Sequence, residues 1–114
     1  MAAVVNKFGA IATMVDGIRF DSLKEARRWA DLRLLERAGE IRNLRRQVVV
    51  PLIGQNGPLK TRTGKAMRMT IDFSYEDKRV GWAEVFEDSK GVATRDYEVR
   101  KAVVEAMGIK VLES

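Results

Sequence analysis

The sequence predicts a mixed α/β fold, an α+β arrangement around one mixed sheet, in a single domain covering residues 1–114. Two helical stretches, each with a start and a stop signal, enclose a run of strands with clear apolar and polar alternation. A short strand pattern precedes them and another follows them. The predicted core order is therefore α-β-β-β-α-β, after an N-terminal β-hairpin.

The hairpin and the first helix have the strongest local signals. Asp16-Gly17 lies between short β-favouring runs, which is typical of a two-residue hairpin turn. Ser22 with Glu25 three residues later fits a capping box, and Gly39 is a natural helix stop. One apolar stripe predicts the buried face of this helix: Leu23, Ala26, Ala30, Leu34 and Ala38, broadened by Trp29, Leu32 and Leu35.

Three strands are expected next. The segment 41–53 contains the β-branched run 48–50 and is interrupted by Pro51. A loop over 54–65 follows, and its length favours a binding role. From Met67 the residues alternate, with an apolar side and a polar side that carries Asp72, and the third strand covers about 81–89.

The second helix begins after a break in the chain. Gly91 ends the third strand, Thr94 is a suitable N-cap, and Gly108 ends the helix. A short final strand is expected over 109–112.

Composition excludes several classes of chemistry. The chain has 0 His and 0 Cys, so catalytic triads that need histidine, cysteine nucleophiles, zinc fingers and disulfide scaffolds are excluded. An excess of 21 Lys+Arg over 16 Asp+Glu favours polyanionic partners. Neither a signal peptide nor a membrane-spanning run is recognisable, so no membrane partner is expected, and the cytoplasm is the expected compartment.

Asp72, Asp88 and Lys90 form the candidate chemical constellation. Asp88 and Lys90 are two apart and share a face of their strand. Asp72 joins that face if paired residue numbers of the two antiparallel strands have an even sum, and an odd sum separates them. Carboxylates that hold a hard cation beside a lysine suit phosphodiester cleavage. The sequence leaves the register open.

In order along the chain, these residues resemble the PD-(D/E)xK, restriction-endonuclease-like superfamily. Within it the chain is similar to a phage and prophage family long catalogued as a domain of unknown function, related to phage-type endonucleases and Holliday junction resolvases. Ile71 occupies the place of the superfamily's proline. The matching residues are Asn6-Lys7-Phe8-Gly9, Asp16-Gly17-Ile18-Arg19-Phe20-Asp21-Ser22, Glu25-Ala26, Leu34-Leu35, Ala38-Gly39-Glu40-Ile41, Asn43-Leu44, Gln47, Asp72-Phe73, Tyr75, Glu87-Asp88-Ser89-Lys90-Gly91, Thr94 and Tyr97.

The resemblance implies a Mg²⁺-dependent, or Mn²⁺-dependent, endonuclease that acts on branched or duplex DNA as a homodimer in the host cytoplasm. It implies metal ligation by Asp72, Asp88 and the Ser89 carbonyl, with Lys90 as the catalytic lysine. It also implies that Glu25 is a third acid on the first helix, although the capping box alone explains Glu25 equally well.

Several further residues are candidates for the site or for DNA contacts. Gln47 is either a site residue or the polar start of a strand, Glu84 shares the face of Asp88, and Glu87 points to the opposite face. For Asp88 and Lys90 the alternative is a surface ion pair. Basic residues of the long loop and second helix are expected to contact DNA phosphates: Lys60, Arg62, Lys65, Arg68, Arg95 and Arg100.

Two other functions stay open at this stage. One is a non-catalytic DNA-binding or partner-binding protein that retains the nuclease fold. The other is a nuclease for linear or single-stranded DNA within a larger phage machine.

Overall fold

A computed structural model describes residues 2–5, 11–89 and 93–114 of the chain. Its N-terminal part is an antiparallel sheet of β1 (Ala2–Val5), β2 (Ile11–Val15) and β3 (Ile18–Phe20). Asp16 and Gly17 connect β2 to β3 with φ of 52° and 76°, as a tight hairpin turn requires. The predicted hairpin is confirmed, and β1 adds a strand that was not predicted.

Helix α1 (Leu23–Arg37) begins and ends where the sequence indicates. The Ser22 hydroxyl accepts a hydrogen bond from the Glu25 N–H at 3.2 Å, which satisfies one of the free amides of the first turn. Gly39 follows the helix with φ of 78°, a left-handed conformation that favours glycine.

The buried face of α1 differs from the predicted stripe. Ala26, Trp29 and Leu32 are buried, whereas Leu34 is 60% exposed. The helix has more apolar residues than one face can hold, so periodicity alone does not select the face. Packing selects it: Trp29 lies between Phe20 and Phe73, with ring centroids 6.2 and 6.1 Å away.

Strand β4 (Ile41–Pro51) leads into the long loop. The loop prediction was incomplete, because β5 (Ile53–Gly54) and β6 (Gly57–Pro58) form a small antiparallel pair within it. A further isolated bridge joins Lys60 to Ala66. The loop is therefore a folded excursion that returns to the sheet at the next strand.

The central sheet positions the candidate site. Its other strands are β7 (Arg68–Asp77), β8 (Ala83–Asp88) and β9 (Val111–Glu113), in the spatial order β4-β7-β8-β9. The first two pairings are antiparallel and β8 pairs with β9 in parallel. A short 3₁₀ turn (Lys78–Val80) connects β7 to β8.

Helix α2 (Arg95–Ala106) connects β8 to β9, and Thr94 caps it by accepting from the Tyr97 N–H at 3.1 Å. Its buried residues Tyr97 and Val104 pack in a cluster with Ile71, while α1 packs in a separate cluster with Phe73. The prediction of helices combined with a mixed sheet is confirmed. No helix among the described residues has the length and apolar character to span a membrane.

Candidate active site

Asp72 lies at a fork in the sheet. Residues 68–71 of β7 pair with β4, whereas Phe73 also pairs with Glu87 of β8. The sum of those paired numbers is even, as it is for Ser74 and Phe86. Extending this register by one step places Asp72 opposite Asp88, so the even alternative holds and the two acids share a face.

Crossed hydrogen bonds tie the two acids together. The Asp72 N–H donates to Asp88 Oδ1 at 2.8 Å, and the Ser89 N–H donates to Asp72 Oδ2 at 2.9 Å. Each carboxylate thus accepts from a backbone amide at or beside the other acid. Both donors are backbone amides, which cannot rotate away as side chains can, so the two carboxylates are held in fixed orientations. A binding site needs this kind of pre-organisation.

Both carboxylates are buried, with Asp72 9% and Asp88 0% exposed. Asp72 is flanked in sequence by Ile71 and Phe73, which are both 0% exposed. Two neighbouring buried acids repel each other when both are ionised, and desolvation adds to that cost. A bound cation would offset both effects, so the arrangement is well suited to cation binding.

Glu25 and Gln47 extend this group of acids. The Gln47 side-chain amide donates to Glu25 Oε1 at 3.1 Å. Partial burial and the negative charge of Asp72 raise the pKa of Glu25, and together they outweigh the opposing effects of Arg46 and Gln47. The charge of Asp72 therefore affects the ionisation of Glu25 on α1. The backbone N–H of Glu25 also donates to the Ser22 cap.

Gln47 has an unusual backbone conformation. Its φ is 53°, in the left-handed region that a non-glycine residue rarely adopts within a strand. It lies between the β4–β7 pairs Arg46–Phe73 and Val48–Ile71, which places it opposite Asp72. Such strain costs about 1–3 kcal/mol and often accompanies functional sites. The strained residue is the one that orients Glu25.

Glu87 belongs to the opposite face of β8, as predicted, and has a structural partner there. Arg28 donates to both of its carboxylate oxygens at 2.6 and 2.9 Å, and the Tyr75 hydroxyl donates at 2.8 Å. Burial raises the pKa of Glu87, but the hydrogen bonds from Arg28 and Tyr75 and the charge of Arg28 outweigh burial, so the pKa is lowered overall. Burial and the Glu87 carboxylate raise the pKa of Tyr75 to about 12.

Glu84 is remote from the acids. It shares their face but lies four residues before Asp88, about 13 Å along an extended strand. It is exposed and forms an ion pair with Arg45 at 2.8 Å. The structure thus joins Asp72 to Asp88, places Glu25 and Gln47 near Asp72, and leaves Glu84 outside.

The basic residues separate into two groups. Lys65, Arg68 and Arg100 line one cleft of about 320 Å³ together with Thr61 and Thr70. Arg100 is fixed there by Asp96 at 2.9 Å and the Arg68 carbonyl at 2.6 Å. The remaining predicted cations are exposed but lie outside this cleft: Lys60, Arg62 and Arg95.

Of the two neighbouring candidates Ser89 and Lys90, the structure describes only Ser89. Ser89 follows the last residue of β8 and donates its N–H to Asp72, and its hydroxyl lies 2.9 Å from that of Ser114. Lys90 lies outside the described residues. Within residues 2–5, 11–89 and 93–114, no three or more acidic side chains come together as a metal site. Glu25, Asp72 and Asp88 thus do not form a three-carboxylate cage.

The sequence did not predict the contacts that two residues, Tyr97 and Ser114, make near the acid pair. Tyr97 is a buried core residue, and its hydroxyl also donates to Glu113 at 3.0 Å. Its pKa is raised by burial first, then by Glu113, Asp88 and Asp72. Ser114 donates its N–H to the Asp88 carbonyl at 2.9 Å. No spacing rule connects these C-terminal residues to β8 before the parallel pairing with β9 is known.

Comparison with known proteins gives a single kind of result. A family model described as "Protein of unknown function (DUF1064)" matches residues 5–111, which include every candidate site residue. No curated protein and no solved structure matches the chain.

Proposed function

The chain belongs to the DUF1064 family, and from its geometry we propose that it is a metal-dependent endonuclease that hydrolyses DNA phosphodiester bonds. One observation carries the proposal: Asp72 and Asp88 are buried side by side on adjacent strands and bound by backbone amides. The proposed fold class is the PD-(D/E)xK, restriction-endonuclease-like class. The residue pattern and the order of helices and strands support it.

The donor set fits Mg²⁺ or Mn²⁺. Two carboxylates and the Ser89 carbonyl are oxygen donors, which hard cations prefer, and the absence of histidine and cysteine disfavours zinc. Mg²⁺ usually keeps several waters and binds one or two protein carboxylates together with substrate phosphate. Two carboxylates are therefore sufficient to bind the ion, and a third carboxylate ligand is not required.

The protein residues then have distinct roles. Asp72 and Asp88 would hold the ion, which when bound lowers the pKa of the attacking water and neutralises phosphate charge. Lys90 would orient that water or stabilise the developing negative charge. Glu25 would act from α1 as a third acid that positions water, held in place by the side-chain amide of Gln47.

The basic cleft supports DNA as the substrate. Arg68 precedes Thr70 and Asp72 on alternate positions of β7, so the cleft and the acid pair lie along one strand. Lys65, Arg68 and Arg100 supply cations for phosphates, and Arg68 lies four residues, about 13 Å, before Asp72 along β7. Branched DNA as the preferred substrate and a homodimeric assembly rest on the resemblance and complete the proposal.

A non-catalytic DNA-binding protein is the second candidate. The observation that favours it is the lack of a group of three or more acids in the described part of the chain. Under this alternative the basic cleft binds DNA and the acid pair is structural.

A cleavage assay separates these functions. Purified protein is incubated with branched, linear duplex and single-stranded DNA in Mg²⁺, Mn²⁺ or EDTA. We expect metal-dependent cutting that is lost in Asp72→Asn and Lys90→Ala and retained in Glu84→Gln, the matched carboxylate outside the site. DNA binding without cleavage under any metal would establish the second candidate. Equal cutting by all variants would remove the acid pair from the mechanism.

A further inference from the structure

A second basic cleft includes Ser89, whose N–H donates to Asp72. It has a volume of about 430 Å³, within the range of ligand-binding clefts. Its walls come from the first three turns of α1, the residue after β8 and Ser114: Leu23, Lys24, Arg27, Arg28, Asp31, Ser89 and Ser114. We call it the α1 cleft. None of its cations belongs to the predicted DNA-binding set.

The positive charges of the α1 cleft follow from helix periodicity. Lys24, Arg27, Arg28 and Asp31 are spaced i, i+3, i+4 and i+7, so they form one stripe along the helix. Three cations and one carboxylate therefore face a common cleft. Lys24 also acts on Glu113, whose pKa it helps to lower as a minor contribution. Lys24 and Arg27 are exposed to solvent and accessible to a ligand.

Arg28 is pre-organised within the cleft. Glu87 holds its guanidinium through two hydrogen bonds, and its side chain keeps 29% of its exposure. A guanidinium fixed by a buried carboxylate loses little further side-chain entropy when it contacts a ligand. The Ser89 and Ser114 hydroxyls, 2.9 Å apart, offer hydroxyl groups at the opposite wall.

Ser89 connects the α1 cleft to the acid pair. Its N–H donates to Asp72 while its side chain lines the cleft. The first basic cleft, with Lys65, Arg68 and Arg100, is lined by Arg68 and Thr70 of the strand that carries Asp72. Cations of α1 and of α2 thus line two clefts, each of which includes a residue near the acid pair.

We propose that the α1 cleft binds the sugar–phosphate backbone of DNA, so that the DNA held at the acid pair also contacts α1. The apolar side chain of Leu23 provides a surface for the sugar, and Lys24, Arg27 and Arg28 contact phosphate oxygens. The inference rests on the proposed function for its ligand, since it concerns the same DNA. It adds a second contact region on α1.

Binding without cleavage tests the inference. Labelled duplex and branched DNA are titrated in EDTA by fluorescence anisotropy, on an Asp72→Asn background, with Lys24→Ala, Arg27→Ala and Arg27→Lys. Arg37→Ala is the matched control, because Arg37 is an exposed cation of the same helix and lines a different depression beside Asp16. Unfolding midpoints verify that each variant is folded.

We expect Lys24→Ala and Arg27→Ala each to weaken binding about 3- to 10-fold and to reduce the salt slope of log K by about 0.9. Arg27→Lys should restore most of the affinity, and Arg37→Ala should leave it unchanged. An effect of Arg27→Ala no larger than that of Arg37→Ala would overturn the inference, as would absence of DNA binding. If binding depends on these residues but the parent protein never cleaves, the endonuclease proposal fails and the cleft assignment stands.

Discussion

Glu87 and Asp72 are buried carboxylates on adjacent strands, and their partners differ in kind. Glu87 is 3% exposed and is bound by the guanidinium of Arg28 and the hydroxyl of Tyr75. Asp72 is 9% exposed, and its side chain accepts from the Ser89 amide. Among the described residues no lysine or arginine forms an ion pair with Asp72, whereas Glu87 forms an ion pair with Arg28.

This difference separates a structural acid from a candidate ligand. A buried ion pair is complete, and removing either member leaves an uncompensated charge. Backbone amides orient a carboxylate but carry no net charge, so its negative charge stays available to a cation from solution. Burial and proximity to the fork do not distinguish the two acids. The identity of the hydrogen-bond donors does.

The largest expected effect is on cleavage. Asp88→Asn should reduce the cleavage rate about 1,000-fold, equivalent to roughly 4 kcal/mol of transition-state stabilisation, because a neutral amide is a poor metal ligand. Glu87→Gln, one residue away on the other face, should reduce it less than about 10-fold. Single-turnover cleavage of branched DNA in saturating Mg²⁺ measures both. Comparable losses in the two variants would contradict the distinction between the faces.

Cation binding should stabilise the protein through Asp72. At Mg²⁺ concentrations of about 100 times the dissociation constant, the free energy of unfolding should rise by about 2.7 kcal/mol. Asp72→Asn should abolish most of this gain while remaining folded, and Glu84→Gln should retain it. Thermal unfolding with a Mg²⁺ titration provides the measurement. A gain that survives Asp72→Asn would place the cation elsewhere.

Removing the charge of Glu87 should instead lower stability. Glu87→Gln leaves Arg28 half-buried without its counter-charge, so we expect a loss of about 2 kcal/mol, less than for a fully buried pair because Arg28 retains solvent contact. Glu84→Gln breaks the exposed pair with Arg45, and the expected loss is below about 1 kcal/mol. Urea denaturation compares them. Equal losses would show that burial of the Arg28 pair adds nothing.

The stabilisation by Glu87 should depend on pH. Its pKa is lowered in the folded protein, so its contribution is fully present above the unfolded value of about 4.3 and is lost as pH falls through the folded value. The stability gap between the parent and Glu87→Gln should therefore narrow between about pH 5 and pH 2. A gap that widened in acid would reverse the sign of the proposed linkage. Urea denaturation at a series of pH values measures it.

Local rules determine which parts of this structure are predictable from sequence. The turn at Asp16-Gly17 and the cap at Ser22 depend on residues within a few positions of each other, and both predictions are confirmed. The shared face of Asp72 and Asp88 needs the strand register, which a one-residue shift would invert. The sequence therefore identified Asp72 and Asp88 as candidates but did not establish that they lie side by side on one face of the sheet.

Long-range partners are not encoded in spacing. Arg28 and Glu87 are separated by 59 positions, and neither has a local pattern that indicates the other. The buried face of α1 is similarly decided by aromatic packing of Trp29 and Phe73 and not by apolar periodicity. Backbone conformation is equally hidden, since nothing at Gln47 predicts a left-handed residue in a strand.

Gln47 provides the smallest and most specific test. Replacing it with glycine removes left-handed strain, so stability should change by less than about 1 kcal/mol and in the stabilising direction. Cleavage should fall a few-fold, since Glu25 loses the hydrogen bond that holds it near Asp72. Asn43→Gly is the matched control, because Asn43 has φ of 54° on the same strand but lies away from the acids. Urea denaturation and single-turnover cleavage measure both variants. If Asn43→Gly slowed cleavage as much as Gln47→Gly, the slower cleavage would result from a changed backbone conformation of β4. Gln47 would then have no role in positioning Glu25.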